Sequence, residues 1–123
     1  MHDLKSNVFV YAETDGDEIL KHLEKTRESL DSISVIRGMD GFELTAVEWA
    51  KANRIKVNRC RSFAYQRVRS EKDVFKELIK EIIAVKLCYL VFHSMRKEVK
   101  ELISVAKKFG VSGQIYISDK KEW

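Results

Sequence analysis

Apolar residues recur along the chain in two periods, and the alternation between those periods predicts the order of its elements. "NVFVYA", Asn7 to Ala12, is a short β-branched and aromatic run and reads as a first strand. "ETDG" follows it, a turn signal that can also cap a helix. In "DEILKHLEKTRESLDSI" the residues Ile19, Leu20, Leu23 and Leu30 stand among charges as one stripe, which predicts a first helix over 17–33. "SVI" then reads as a second strand, and "ELTAVEWAKAN" as a second helix with Leu44, Val47 and Ala50 or Trp49 inward and Asn53 at its end.

"RIKVNRC" alternates Ile55 and Val57 with basic residues, the pattern of an edge or half-exposed strand. "RSFAYQRVRS" has no clean period and is expected to be a loop. "SEKDVFKELIKEIIAVK" carries a stripe of Val74, Leu78, Ile79, Ile82 and Ile83 behind a weak capping box, Ser70 with Asp73. "LCYLVFH", Leu87 to His93, is nearly all apolar and predicts a central strand buried on both faces. "SMRKEVKELISVAKKFG" predicts a fourth helix capped at Ser94 and closed at Gly110. "GQIYIS" is the last strand, before a polar tail over 118–123.

Strands and helices therefore alternate, which predicts an α/β fold: a Rossmann-like three-layer α/β/α arrangement around a five-stranded, mostly parallel sheet. The 123 residues suit one domain with a core over 6–117. Such sheets bind ligands beyond the carboxyl ends of their strands, where strand order reverses. Three turns would meet there: Glu13 to Gly16, Arg37 to Glu43, and His93 to Arg96.

Composition narrows the classes. The chain is 45% hydrophobic and 34% charged, with no proline and five glycines, so neither a disordered tract nor a repeat array is expected. No stretch is long and apolar enough for a membrane span, and the first residues lack the form of a signal peptide, so a cytoplasmic protein with no membrane partner is expected. Cys60 and Cys88 lie at no metal-ligand spacing and form no disulfide framework. No metal and no cofactor is expected. The net charge of +4 is mild, but seven basic residues against one acid between Arg54 and Lys72 make a local positive field that attracts anions.

The candidate chemistry starts with "VIRGMDGFE". Gly38 and Gly41 enter a predicted helix N-terminus, where free N–H groups and the helix dipole favour an anion. Glu43 in the first turn either complements the dipole or takes a ribose hydroxyl. A turn whose glycines serve conformation alone fits the same spacing. Ser94 is an N-cap or an anion contact, and His93 a structural histidine or a phosphate contact and acid/base group. Arg96 and Lys97 oppose the dipole of the fourth helix, which points to an anionic ligand or a solvated face. Arg67 and Arg69 precede the third helix as phosphate forks or as solvated charges. Phe63 and Tyr65 can stack on a base or cover a core edge. Glu13 and Asp15 can bind ribose or cap the first helix, and His22 reads as a surface residue.

"VIRGMDGFELTAVEWAKANRIKVNR" resembles the SLOG superfamily of Rossmann-like nucleotide-binding domains, which includes the SMF and LOG proteins, and within it the small single-domain branch related to the YspA type. Arg37, Gly38, Met39, Asp40, Gly41, Phe42 and Glu43 stand where that branch has its GGxxGxD-like loop, and Ala46, Trp49 and Ala50 follow at matching places. Arg69-Ser70 stands where the branch has an Arg-Asn-like pair. The likeness runs over roughly 7–117, with the second loop matched best. It implies a nucleotide-type ligand; separately, small Rossmann-like domains often pair through an exposed sheet edge or helix face, so a homodimer or higher homo-oligomer is expected.

Arg37 replaces the loop's first glycine, Glu43 its aspartate, and "FHSMRKEVKE" stands in place of the glycine-rich loop that follows the fourth strand in the family. Glu101 falls near the register of the LOG-type catalytic glutamate without the glycines around it. The implied function is binding, as a sensor or sequestering protein. The alternatives are a phosphoribohydrolase-like N-glycosidase using Glu101, Glu98 or Glu43, and single-stranded nucleic-acid binding by the basic 54–72 segment.

Overall fold

The computed structural model describes residues 6–38, 41–59 and 71–118, and the side chains of all of these except 71 and 72. The chain runs β1 (Ser6–Ala12), α1 (Asp17–Thr26), a 3-10 turn (Arg27–Ser29), β2 (Leu30–Val35), α2 (Gly41–Ala52), β3 (Lys56–Arg59), α3 (Glu71–Val85), β4 (Leu87–Phe92), α4 (Lys97–Lys108) and β5 (Ser112–Ile117). All strand pairs are parallel, in the order β3-β2-β1-β4-β5, which makes the expected Rossmann-like α/β fold.

Period-2 alternation sorts the strand residues onto two faces. Val8, Val10, Ile33, Val35, Tyr89 and Val91 meet Ile19 and Leu23 of α1 and Ala46, Val47 and Ala50 of α2. Phe9, Cys88, Leu90 and Phe92 meet Phe75, Leu78 and Ile82 of α3 and Val99, Leu102 and Ala106 of α4. β4 is the central strand that its apolar run predicts, with Cys88 through Phe92 all buried. Each fully buried Leu, Ile, Val or Phe contributes about 1.5–3 kcal/mol. β3 is an edge strand with Lys56 and Arg59 exposed, again as its alternation predicts.

The expected first helix is too long. α1 stops at Thr26, where the Thr26 hydroxyl donates to the His22 carbonyl (2.8 Å) and the Ser29 hydroxyl to the Thr26 carbonyl (2.8 Å), side-chain bonds that compete with further helix. Leu30 keeps helical spacing from Leu23 but is the first, buried residue of β2. Ser32 and Ser34 can lie buried in that strand because the Asn7 side-chain carbonyl accepts both hydroxyls, at 2.7 and 3.2 Å.

The expected fourth helix starts too early. α4 begins at Lys97, and Arg96 before it is extended (φ −117°, ψ 172°), so Ser94 is not its cap. Its other end holds: the Gly110 and Val111 amides donate to the Lys107 and Ala106 carbonyls (3.2 and 2.9 Å). His22 is not a plain surface residue. It is half-buried, stacked on Tyr89 (centroids 4.9 Å apart) and hydrogen-bonded to the Tyr116 hydroxyl. The Trp49 indole N–H donates to Glu24 (2.6 Å) and ties α2 to α1. Cys88 is 2% exposed, and burial pushes its thiol up to about 11. Among the described residues, no helix is long and apolar enough to cross a membrane.

Candidate functional site

β1 lies between β2 and β4, so the chain leaves β1 toward one side of the sheet and later returns on the other. The strand order reverses at the β1/β4 junction, and a crevice opens beyond the carboxyl ends of these two strands. The turns after β1, β2 and β4 all lie at this edge.

The turn after β2 answers the question posed by the two glycines. Gly38 has φ +71°, a conformation that glycine adopts without strain, and any side chain there would also strike Val47 at 2.8 Å. The turn aims consecutive backbone N–H groups at one point, and Glu43 fills that point. Its carboxylate accepts from the amides of Ile36 (2.7 Å), Arg37 (3.2 Å) and Gly38 (3.1 Å). Bonds of this kind to a charged acceptor are about twice as strong as neutral ones. The Arg59 guanidinium holds the outer side of the turn through the Arg37 carbonyl (2.9 Å). The loop thus binds an anion, and the anion is a side chain of the same chain.

The turn after β4 repeats the arrangement with a distant carboxylate. The Glu13 amide donates to the Val91 carbonyl (3.0 Å), which places its side chain over the end of β4. Glu13 Oε1 accepts from the His93 amide (2.9 Å) and from Arg96 Nη1 (3.2 Å), and Oε2 accepts from Arg96 Nη2 (2.5 Å). The pair is bidentate, and the Arg96 and Glu13 side chains are only 23% and 19% exposed, so solvent screens it less than a surface pair. The Arg96 guanidinium also lies over the Phe75 ring, 5.5 Å from its centroid, and reaches the Ser94 carbonyl and hydroxyl at 3.4 Å. Arg96 is therefore oriented by Glu13 and in turn contacts Ser94.

The turn after β1 is acidic. Asp15 accepts the Asp17 amide (3.1 Å) at the start of α1, and a side-chain hydrogen bond with Asp15, together with the Asp15 charge, holds the Asp17 carboxyl above the usual carboxylate range. Gly16 permits the close approach of a ring: a Cβ there would lie 2.2 Å from Phe42. Phe42 is thereby seated over this turn.

Between these turns lies a cavity of about 640 Å³, with Tyr11 to Thr14 on one side, Gly41 to Glu43 on the other, and His93 at its end. The structure brings together five of the residues singled out in the sequence, Glu13, Gly41, Phe42, Glu43 and His93. Arg37 and Gly38 serve the lining indirectly by holding Glu43. Glu101 stands apart, on α4, bordering a separate groove of about 260 Å³ with Phe75, Ile79 and Lys97. Met39, Asp40, Arg67 and Arg69, like Phe63 and Tyr65, lie outside the described residues.

Tyr11 and Thr14 are lining residues that pattern reading passes over. Their only signal is position, next to the carboxyl end of the first strand. Chemically the cavity offers apolar ring faces, the hydroxyls of Tyr11 and Thr14, an imidazole and the carboxylate Oε2 atoms with a lone pair to spare. Among the described residues no group of three or more His, Cys, Asp or Glu is placed to hold a metal ion. No protein-family model, no curated protein and no solved structure matches the chain.

Proposed function

We propose that this domain binds a nucleotide-derived small molecule in the crevice between β1 and β4, as a sensor or sequestering protein that breaks no bond. One observation carries the reading: a cavity of about 640 Å³ lies at the reversal of strand order, with aromatic walls and a few convergent polar groups. That is the place and the composition expected of a ligand site in an open parallel sheet. The resemblance of "RGMDGFELTAVEWA" to SLOG domains supports the same ligand class.

Binding is favoured over hydrolysis because Glu13 and Glu43, the two carboxylates that line the cavity, are both engaged by backbone donors, and Glu101 borders a different groove. A thermal-shift panel of nucleosides, nucleoside mono- and diphosphates, ADP-ribose and cyclic dinucleotides at millimolar concentration tests the reading. A rise in Tm with at least one of them is expected, reduced by Thr14→Val and His93→Ala. No rise with any member overturns it. Retention of single-stranded DNA that weakens steeply with salt, with no response to small ligands, would favour the nucleic-acid reading instead.

A further inference from the structure

Rossmann-like sheets hold phosphates on the backbone N–H groups of the turns that lead into their helices. In this protein such groups already carry a carboxylate in all three turns around the crevice. Asp15 takes the amide of Asp17, Glu43 those of Ile36, Arg37 and Gly38, and Glu13 that of His93. A phosphate entering any of these turns meets a carboxylate where it needs a donor; the Glu13 charge is offset by Arg96, whereas at Glu43 and Asp15 like charges repel. Among the described residues, no lysine or arginine lines the cavity; its ionisable groups are Tyr11, Glu13, Glu43 and His93.

The same carboxylates suit hydroxyl groups. Oε1 of each glutamate already accepts two bonds, but Oε2 of Glu43 and Oε2 of Glu13 accept one each and keep a free lone pair, and a ribose hydroxyl donates where a phosphate cannot. Tyr11 and the Phe42 ring supply apolar surface for a flat base. From these observations we infer that the crevice selects a nucleoside or a like-sized neutral polyol-bearing aromatic, and discriminates against its phosphorylated form. The inference rests on the proposed ligand class and narrows it.

Calorimetric titration of the full chain with adenosine, guanosine, cytidine and uridine, each beside its 5′-monophosphate at one ionic strength, tests it. At least one nucleoside is expected to bind about tenfold or more tightly than its monophosphate, a gap of about 1.4 kcal/mol. The gap should narrow as salt rises and in Glu13→Gln, which keeps an acceptor oxygen and removes the charge. A monophosphate that binds as tightly as its nucleoside or more so overturns the selectivity and leaves the ligand class standing. Silence from both overturns the selectivity, and the ligand class falls with it only where the diphosphates, ADP-ribose and cyclic dinucleotides are silent too. The wild-type comparison decides the matter even where the variant fails to fold.

Discussion

The turn after β2 and the turn after β4 both end on a carboxylate that accepts backbone N–H groups, and they differ in where that carboxylate comes from. Glu43 is five to seven residues from its donors, Ile36 to Gly38, whereas Glu13 is 80 residues from the His93 amide and 83 from Arg96. The first closure is local and forms with the turn itself. The second forms only when β1 and β4 pair, so it reports the assembled sheet. The first can precede the global fold, and the second cannot.

The largest expected effect is loss of the local closure. Glu43→Ala leaves three amides without their acceptor and is expected to cost about 3 kcal/mol in urea unfolding, with Glu43→Gln recovering about half. A change under about 1 kcal/mol for the alanine variant would show that water serves the turn as well. Next comes the distant closure. Glu13→Ala is expected to cost about 2 kcal/mol, and a double-mutant cycle with Arg96→Ala to return a coupling of about 1–2 kcal/mol. No coupling would reduce the bidentate geometry to a surface pair.

Hydrogen exchange sharpens the contrast further. In Glu13→Ala the His93 amide should lose protection while the Gly38 amide keeps it, and the reverse should hold in Glu43→Ala. A smaller effect probes the ring that joins the turns. Gly16→Ala is expected to cost about 1.5 kcal/mol, because its Cβ displaces Phe42, and to cost less on a Phe42→Ala background. The smallest effect concerns the exposed turn after β1. In Asp15→Asn the Asp17 carboxyl should titrate lower, toward the ordinary range, by carbon-detected NMR. The sign follows from the raised value. Ionising Asp17 is harder in the folded chain, so its ionisation opposes folding as pH rises through that acidic window, and the substitution removes the opposition.

The same local-versus-distant contrast governs what the sequence reveals. β1, β4, α2 and α3 are legible because each writes its own period over neighbouring residues. β2 is partly hidden: Leu30 continues the stripe of α1, and Ser32 looks like a helix residue until Asn7, from another strand, supplies its acceptor. The start of α4 is hidden for a related reason. Ser94 is a good cap by type, but Glu13 binds both His93 and Arg96, Arg96 is extended, and the helix begins only at Lys97. Within the crevice, the position of Glu43 in its turn is readable, although its role as the turn's own anion is not. The pairing of Glu13 with Arg96 carries no sequence signal at a separation of 83 residues.

The burial of Cys88 has a practical consequence. Only the thiolate reacts with alkylating reagents, and this thiol is held near 11 beneath the α3/α4 layer, so it is silent in the native chain at neutral pH. With Cys60 replaced by serine, the rate at which a maleimide labels Cys88 becomes a clock for the opening of the central strand. A bound ligand that bridges the β1 and β4 turns would slow that clock, so the position carries an intrinsic readout of occupancy that needs no knowledge of the ligand's identity.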